Sequence, residues 1–236
     1  LGLVLYPGFL ISLARDLSEM AACSLLLGGI VLARQSRWWA ASVIFFLAAL
    51  TRETALVVPA ALFLFQAIYF VRGPRPKVGV LVACAWPLAA FLGWQLLLMR
   101  VWGVAPALAN RGTLLPPFVG LVRFGIDAVQ HLYVLDLIQI SLLLTTMVTT
   151  GLALLRADVP PWEKLAWSLY AALAMCLSDQ EHWNDQASYL RVTTELFLVS
   201  WPILIASKRT LPRVLLGGWA ALSVLHFVMA IDLLKI

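Results

Sequence analysis

Long runs of apolar residues dominate this sequence, and a helix that crosses a lipid bilayer needs a run of about 20 such residues, with a range of about 17–25. The run at residues 38–50 is shorter than about 17 residues, but Arg34 and Arg37 precede it, and their long side chains can extend its reach to the membrane surface. The runs are residues 3–14 (a partial one), 17–33, 38–50, 54–71, 78–100, 132–155, 162–178, 192–207 and 213–234.

The composition agrees with a membrane protein and excludes an ordinary soluble domain. Hydrophobic residues make up 62% of the chain and charged residues only 12%, with a mean hydropathy of +0.92. Soluble domains are about 45–50% apolar and about 25% charged. The ten Trp and five Tyr fit the aromatic belts at membrane surfaces.

We predict an all-α fold, a polytopic transmembrane helical bundle with about eight spans plus a partial one. Open sheets would leave unpaired backbone groups in lipid, and barrel strands would alternate polar with apolar residues, which these runs do not. The prediction is a single transmembrane domain over residues 1–236. Because the chain starts at Leu1 inside an apolar run, we expect it to be part of a longer protein.

Basic residues are concentrated in every second connection between the predicted spans. By the positive-inside rule these connections face the cytoplasm. The predicted cytoplasmic connections are 34–37, 72–77, 156–164 and 208–213, and the predicted non-cytoplasmic ones are 15–19, 51–54, 101–130 and 178–191. The net charge of +5 is then mostly a property of the cytoplasmic face, so it requires no nucleic-acid partner.

Most carboxylates of the chain lie in the non-cytoplasmic connections, together with several arginines. A charge at the centre of a membrane helix costs about 2.5–3.5 kcal/mol on insertion scales, but much less at its end. Several charges on one face favour a polar cavity that opens to that side. The alternatives are local: Asp16 and Glu19 could form a capping box, and Thr51 or Thr54 could cap a helix while Arg52 extends to lipid headgroups.

Other motifs carry little chemistry. The three cysteines lie far apart in apolar runs and are predicted to be buried. Residues 27–29 and 216–218 each contain a Gly-Gly pair, which we interpret as a point of close helix packing. Glu181, His182 and Asp185 could hold a metal, but no further patterned ligand joins them, so we predict no metal and no cofactor. Phosphate-loop, dinucleotide and zinc-protease motifs are absent from the sequence.

Two stretches resemble the GT-C-type membrane glycosyltransferases of bacteria, in particular the cell-surface glycopolymer formation and mannosyltransferase-like proteins. Residues 12–64 show an Arg-acidic-x-x-Glu element at Arg15, Asp16 and Glu19, a basic turn, and then Leu-Thr-Arg before a proline-containing apolar helix. Residues 188–205 resemble the Tyr-x-Arg-x-x-x-Glu-Leu element that these families place after an extracytoplasmic loop.

The resemblance implies an inverting enzyme of the cell membrane that takes a sugar from a polyprenyl-phosphate carrier and transfers it to a cell-envelope glycan or lipid acceptor on the non-cytoplasmic face. In the family the catalytic Asp usually lies in the first extracytoplasmic loop; we expect this chain to begin after that loop, so the catalytic residue is unknown here. The predicted substrate-binding residues, on the expected face, are Arg15, Asp16, Glu19, Arg52, Glu53 and Arg191. Guanidinium groups suit a phosphate because they bind it with two parallel hydrogen bonds.

Two other functions stay open at this point. A transporter or a lipid-carrier flippase would more often show internal repeats and ionisable groups at mid-membrane, whereas the charges here lie near the ends of the predicted spans. A non-catalytic subunit of a membrane assembly is the third possibility. At Arg191 the sequence allows either a phosphate contact at a helix start or an ion pair with Glu195 four residues later.

Overall fold

The structure is a computed structural model that describes residues 18–72, 78–103, 115–177, 193–207, 214–215, 217–222 and 224. Nearly all of these residues are helical, and the described ranges contain no strand. The predicted all-α class is therefore confirmed.

Eight α-helices and one 3-10 turn have defined bounds within the described ranges. The 3-10 turn, Glu53–Leu56, directly precedes the third α-helix. The α-helices are α1 (Ser18–Arg34), α2 (Trp38–Thr51), α3 (Val57–Arg72), α4 (Val78–Trp102), α5 (Val119–Gln130), α6 (Val134–Leu154), α7 (Pro161–Met175) and α8 (Thr194–Ala206).

In the part of the chain that the structure describes, three helical segments are long and apolar enough to cross a membrane: Glu53–Arg72, Val78–Trp102 and Val134–Leu154. Helices α2 and α8 are apolar but shorter. The apolar window of α4 is only 17% buried, so most of its side chains point outward, which is what contact with lipid requires. The predicted membrane class agrees with these helices, and the number of about eight spans stays a prediction.

Helix α5 lies in the stretch 101–130, which the sequence analysis treated as a connection only. Its buried residues are Gly120, Leu121, Phe124 and Ala128, which repeat at the three-to-four-residue spacing of a helix. Phe118 (φ 69°) precedes the helix and Leu132 (φ 52°) follows it. Left-handed backbone is uncommon outside glycine, so the chain bends sharply at both ends of α5.

The described residues divide into two compact units, which we describe separately. Of the described residues, the first unit comprises 18–72, 78–103 and 160–170, and the second comprises 115–159, 171–177, 193–207, 214–215, 217–222 and 224. Helices α1 to α4 belong to the first unit, α5, α6 and α8 belong to the second, and α7 contributes residues to each. The single domain over 1–236 stays a prediction.

In the first unit, α1 packs closely against α2 at Gly29. A Cβ atom added to Gly29 would lie 2.6 Å from Cδ1 of Phe45, whose own side chain is buried. The Ser42 hydroxyl on α2 donates a hydrogen bond to the Ala83 carbonyl on α4. The first Gly-Gly pair therefore marks a close helix approach, as the sequence analysis predicted.

In the second unit, α8 is enclosed by its neighbours, and every residue from Thr194 to Trp201 is buried. Trp219 is fully buried, and its indole N–H donates to the Thr146 hydroxyl on α6 at 3.0 Å. The ring of Trp219 also packs edge-to-face on Phe197 of α8. A helix that is apolar on all sides is expected at the centre of a bundle.

Candidate functional site

Two of the predicted site residues meet in the first unit. Nη1 of Arg52 lies 3.7 Å from Oε1 of Glu19, and both side chains are largely buried, with 15% and 5% of their surfaces exposed. The Ser18 hydroxyl donates to Oε2 of the same carboxylate at 3.1 Å. Residues that are 33 positions apart in the sequence thus form a buried ion pair, which we call the Glu19–Arg52 pair.

The local backbone explains how Arg52 reaches this position. Arg52 is extended (φ −157°, ψ 121°) between the last turn of α2 and the 3-10 turn. Its N–H donates to the Ala48 carbonyl, and its own carbonyl accepts from the Ala55 N–H at 3.0 Å. From the first unit's part of α7, the Tyr170 hydroxyl donates to the Thr54 carbonyl at 3.0 Å. The break between α2 and α3 is therefore held by hydrogen bonds before and after it.

These contacts decide against a cap by Thr51 and against an extension of Arg52 to lipid headgroups. The Thr51 hydroxyl donates backward to the Ala48 carbonyl at 2.7 Å, so it does not cap the following turn. Arg52 precedes the 3-10 turn without a side-chain cap hydrogen bond. Because its guanidinium is buried beside Glu19, it does not extend to lipid headgroups.

The other predicted site residues are placed differently. Glu53 is exposed, on the 3-10 turn. Arg15, Asp16 and Arg191 lie outside the described residues, so their share in a site stays a prediction. Glu195, the proposed ion-pair partner of Arg191, is fully buried in the first turn of α8, where the Thr194 hydroxyl donates to its Oε2 at 3.2 Å.

A second ion pair holds the opposite end of α1. Nε and Nη2 of Arg34 each lie 2.6 Å from one carboxylate oxygen of Glu163, which is 2% exposed. These two parallel hydrogen bonds raise the pKa of the Arg34 guanidinium, so the guanidinium stays charged. From the sequence, Glu163 was counted only as a charge in a cytoplasmic connection. Its pairing with Arg34 joins the end of α1 to the start of α7 within the first unit.

A cavity of about 450 Å³ lies in the first unit at the end where Arg34 is found. Its lining residues come from the α1–α2 turn, α2, α3 and α4: Ser36, Trp38, Gln66, Tyr69, Phe70, Val80 and Leu81. The three predicted site residues that the structure describes, Glu19, Arg52 and Glu53, do not line it, so the cavity and the Glu19–Arg52 pair are separate features.

The second unit contains a polar stripe that the sequence analysis missed. Four buried polar side chains of α6, spaced three, seven and four residues apart along one helix face, form it: Asp136, Gln139, Thr146 and Thr150. The hydroxyls of the two threonines donate to carbonyls one turn back, Leu142 and Thr146 respectively, each at 2.7 Å. The spacing of these polar residues inside an apolar run was the sequence signal from which the stripe could have been predicted.

The Glu19–Arg52 pair offers a guanidinium and a carboxylate in a poorly hydrated setting, where electrostatic contacts are stronger than in water. A guanidinium can bind a phosphate, and a carboxylate can orient the guanidinium or accept a hydrogen bond from a sugar hydroxyl. Among the described residues, no group of three His, Cys, Asp or Glu side chains is placed to hold a metal ion.

Comparison with protein-family models, with curated proteins and with solved structures gave no match.

Proposed function

We propose that this chain is part of a multi-pass cell-membrane glycosyltransferase that moves a sugar from a polyprenyl-phosphate carrier to a cell-envelope glycan or lipid acceptor. The observation that supports this most is the buried Glu19–Arg52 pair, formed by two of the residues that the family resemblance implicated. The active face in this proposal is the non-cytoplasmic one, where the charge alternation puts the 15–19 and 51–54 connections.

In the proposed reaction, an acceptor hydroxyl oxygen attacks the anomeric carbon of the sugar. The bond between that carbon and the phosphate oxygen breaks, and the carrier phosphate leaves with the bonding electrons. The hydroxyl proton passes to a general base, a role that we assign to no residue of this chain. Inversion at the anomeric carbon follows from a single displacement.

Arg52 is proposed to bind the carrier phosphate, whose negative charge increases as the bond breaks. A guanidinium that is already in place for this charge stabilises the transition state more than the bound donor. Glu19 is proposed to hold that guanidinium in position, since its carboxylate lies 3.7 Å from Nη1 of Arg52. Arg15, Asp16, Glu53 and Arg191 are the further proposed substrate-binding residues of the same face.

The apolar surfaces of the long helices suit the rest of the donor. Leu92, Leu96 and Leu97 of α4 are all more than half exposed. Such side chains can contact membrane lipids and the polyprenyl tail alike, because both are hydrocarbon.

The test is sugar transfer by the full-length protein in detergent or liposomes, measured with Arg52→Lys and Glu19→Gln. Arg52→Lys keeps the charge but loses the two-point geometry, so we expect at least a tenfold loss of turnover, which equals about 1.4 kcal/mol. Arg37→Lys is the matched control, because Arg37 is exposed beyond the other end of α1. Normal transfer by Arg52→Lys, at normal folded yield, would refute the proposed role.

Transport of a lipid carrier is the second candidate, and the polar stripe on α6 is the observation that favours it. Thr146 and Thr150 lie in the interior of a helix long enough to span the bilayer. Among the described residues of the second unit, two carboxylates are buried, Asp136 and Glu195, and both lie in first turns. Transporters more often have ionisable groups at mid-membrane, so we rank this function second. Carrier movement across liposomes without sugar transfer would favour it.

A further inference from the structure

Helix α5 divides its surface into three sectors instead of two. One sector faces the protein and is formed by Gly120, Leu121, Phe124 and Ala128, which are all buried. The rest of the circumference is exposed, but it is not uniformly polar, as the surface of a water-soluble helix would be.

The exposed part of α5 separates into an apolar and a polar sector. Val122, Ile126 and Val129 are 54%, 52% and 58% exposed, and at 100° per residue they lie within about 60° of one another. The exposed polar residues Arg123, Asp127 and Gln130 occupy the adjoining arc. Helix α5 therefore presents one side to the protein and two sides outward, of which one is apolar and the other polar.

Both ends of α5 are tied to helix ends of the second unit. Before the helix, the N–H groups of Leu115 and Phe118 donate to the carbonyls of Cys176 and Met175, each at 2.7 Å. After it, the Tyr133 N–H donates to the Ala128 carbonyl at 2.9 Å, and α6 begins at the next residue. Helix α5 thus runs from the end of α7 to the start of α6. At about 18 Å it is too short to cross a hydrocarbon core of about 30 Å.

The apolar sector continues into exposed residues on either side of the helix. Phe118 precedes α5, and Leu132 and Tyr133 follow it, with 55%, 77% and 50% of their surfaces exposed. The rings of His131 and Tyr133 stack at 5.5 Å. Tyrosine and histidine beside apolar residues are suited to the boundary between headgroups and acyl chains, where one end is apolar and the other is wet.

We propose that α5 is an interfacial helix that lies in one leaflet of the bilayer, where the start of α6 enters the membrane. Its partner is the headgroup–acyl boundary of the phospholipids. Val122, Ile126 and Val129 face the acyl chains about 5–10 Å below the headgroups, while Arg123, Asp127 and Gln130 face water. The inference rests on the membrane location in the proposed function and not on sugar transfer.

The test uses the full-length protein in lipid nanodiscs, with Cys23, Cys84 and Cys176 replaced by alanine. Single cysteines are introduced as Ile126→Cys and Gln130→Cys, and each is labelled with a polarity-sensitive fluorophore. Val148→Cys is the deep control, because Val148 is 61% exposed in the interior of α6. Quenching by brominated phospholipids is compared with quenching by aqueous iodide.

We expect labels at positions 126 and 148 to be quenched several-fold more by brominated lipid than the label at 130, and iodide to show the reverse order. If position 148 is quenched by lipid but position 126 is quenched by iodide as strongly as 130, the interfacial helix is refuted while the membrane location stands. If neither quencher reaches position 126, protein covers this sector and the proposal is wrong. If iodide reaches position 148, the membrane location fails, and the interfacial helix fails with it.

Discussion

Nη1 of Arg52 lies 3.7 Å from Oε1 of Glu19, and this contact joins the start of α1 to the break after α2. At the other end of α1, Arg34 binds Glu163 with two hydrogen bonds of 2.6 Å. Glu19 and Arg34, about 22 Å apart along α1, are therefore both held by ion pairs near its two ends. We propose a substrate-binding role for the Glu19–Arg52 pair and a structural role for the Arg34–Glu163 pair. The reason is that the Arg34–Glu163 contact is shorter and lies at the opposite end of α1.

The Arg34–Glu163 pair is predicted to be structural. Arg34→Ala would leave the carboxylate of Glu163 buried without its guanidinium, so we expect a loss of about 1–3 kcal/mol in the free energy of unfolding. The measurement is unfolding in mixed detergent by SDS titration. Arg37→Ala is the control, since Arg37 is exposed three residues away and should change stability by less than about 0.5 kcal/mol. Equal effects of the two substitutions would contradict this role.

Two glycine substitutions are predicted to have opposite effects. Gly29→Ala pushes a methyl group into the buried Phe45 ring, so we expect a loss of about 1–3 kcal/mol. Gly93 lies inside α4 with no atom within 4 Å of an added Cβ. Gly93→Ala should therefore stabilise the helix by about 0.5–1 kcal/mol. Thermal unfolding in detergent compares them, and Phe45→Leu should recover part of the loss in Gly29→Ala. A stabilising Gly29→Ala would show that the helix contact is not tight.

The orientation of the first unit can be tested at two exposed positions. Glu53→Cys and Arg37→Cys are introduced singly in a background without the three native cysteines, and intact cells are treated with a membrane-impermeant maleimide. The charge alternation predicts that position 53 reacts from outside and that position 37 reacts only after permeabilisation. The reverse pattern would invert the assignment of the active face.

The helices were predictable because their signal is local. Apolar runs at 54–71, 78–100 and 132–155 became α3, α4 and α6 with ends shifted by a few residues. Helix α5 was missed because the search was for apolar runs of about 20 residues, whereas α5 has only 12 residues and polar side chains interrupt its apolar ones. Its burial pattern depends on contact with α6, and that contact is not encoded in a single apolar run.

The candidate site was only partly predictable. Charge alternation brought Glu19 and Arg52 to the same predicted face, and the structure joins them. The partner of Arg34 could not be predicted, because Glu163 is 129 residues away and a charge in a connection gives no sign of burial. Asp136 was missed because a single carboxylate in the first turn of a long apolar helix resembles an ordinary helix start.

The most direct test of the central claim is binding of a short-chain polyprenyl phosphate to the full-length protein, followed by thermal stabilisation in detergent. We predict saturable stabilisation by the phosphate but not by the corresponding polyprenyl alcohol, because Arg52 is proposed to bind the phosphate group. Arg52→Lys should weaken the apparent affinity about tenfold or more, whereas the exposed control Arg37→Lys should leave it unchanged. Equal stabilisation of Arg52→Lys and wild-type protein by the phosphate, or equal stabilisation of wild-type protein by phosphate and alcohol, would contradict the claim.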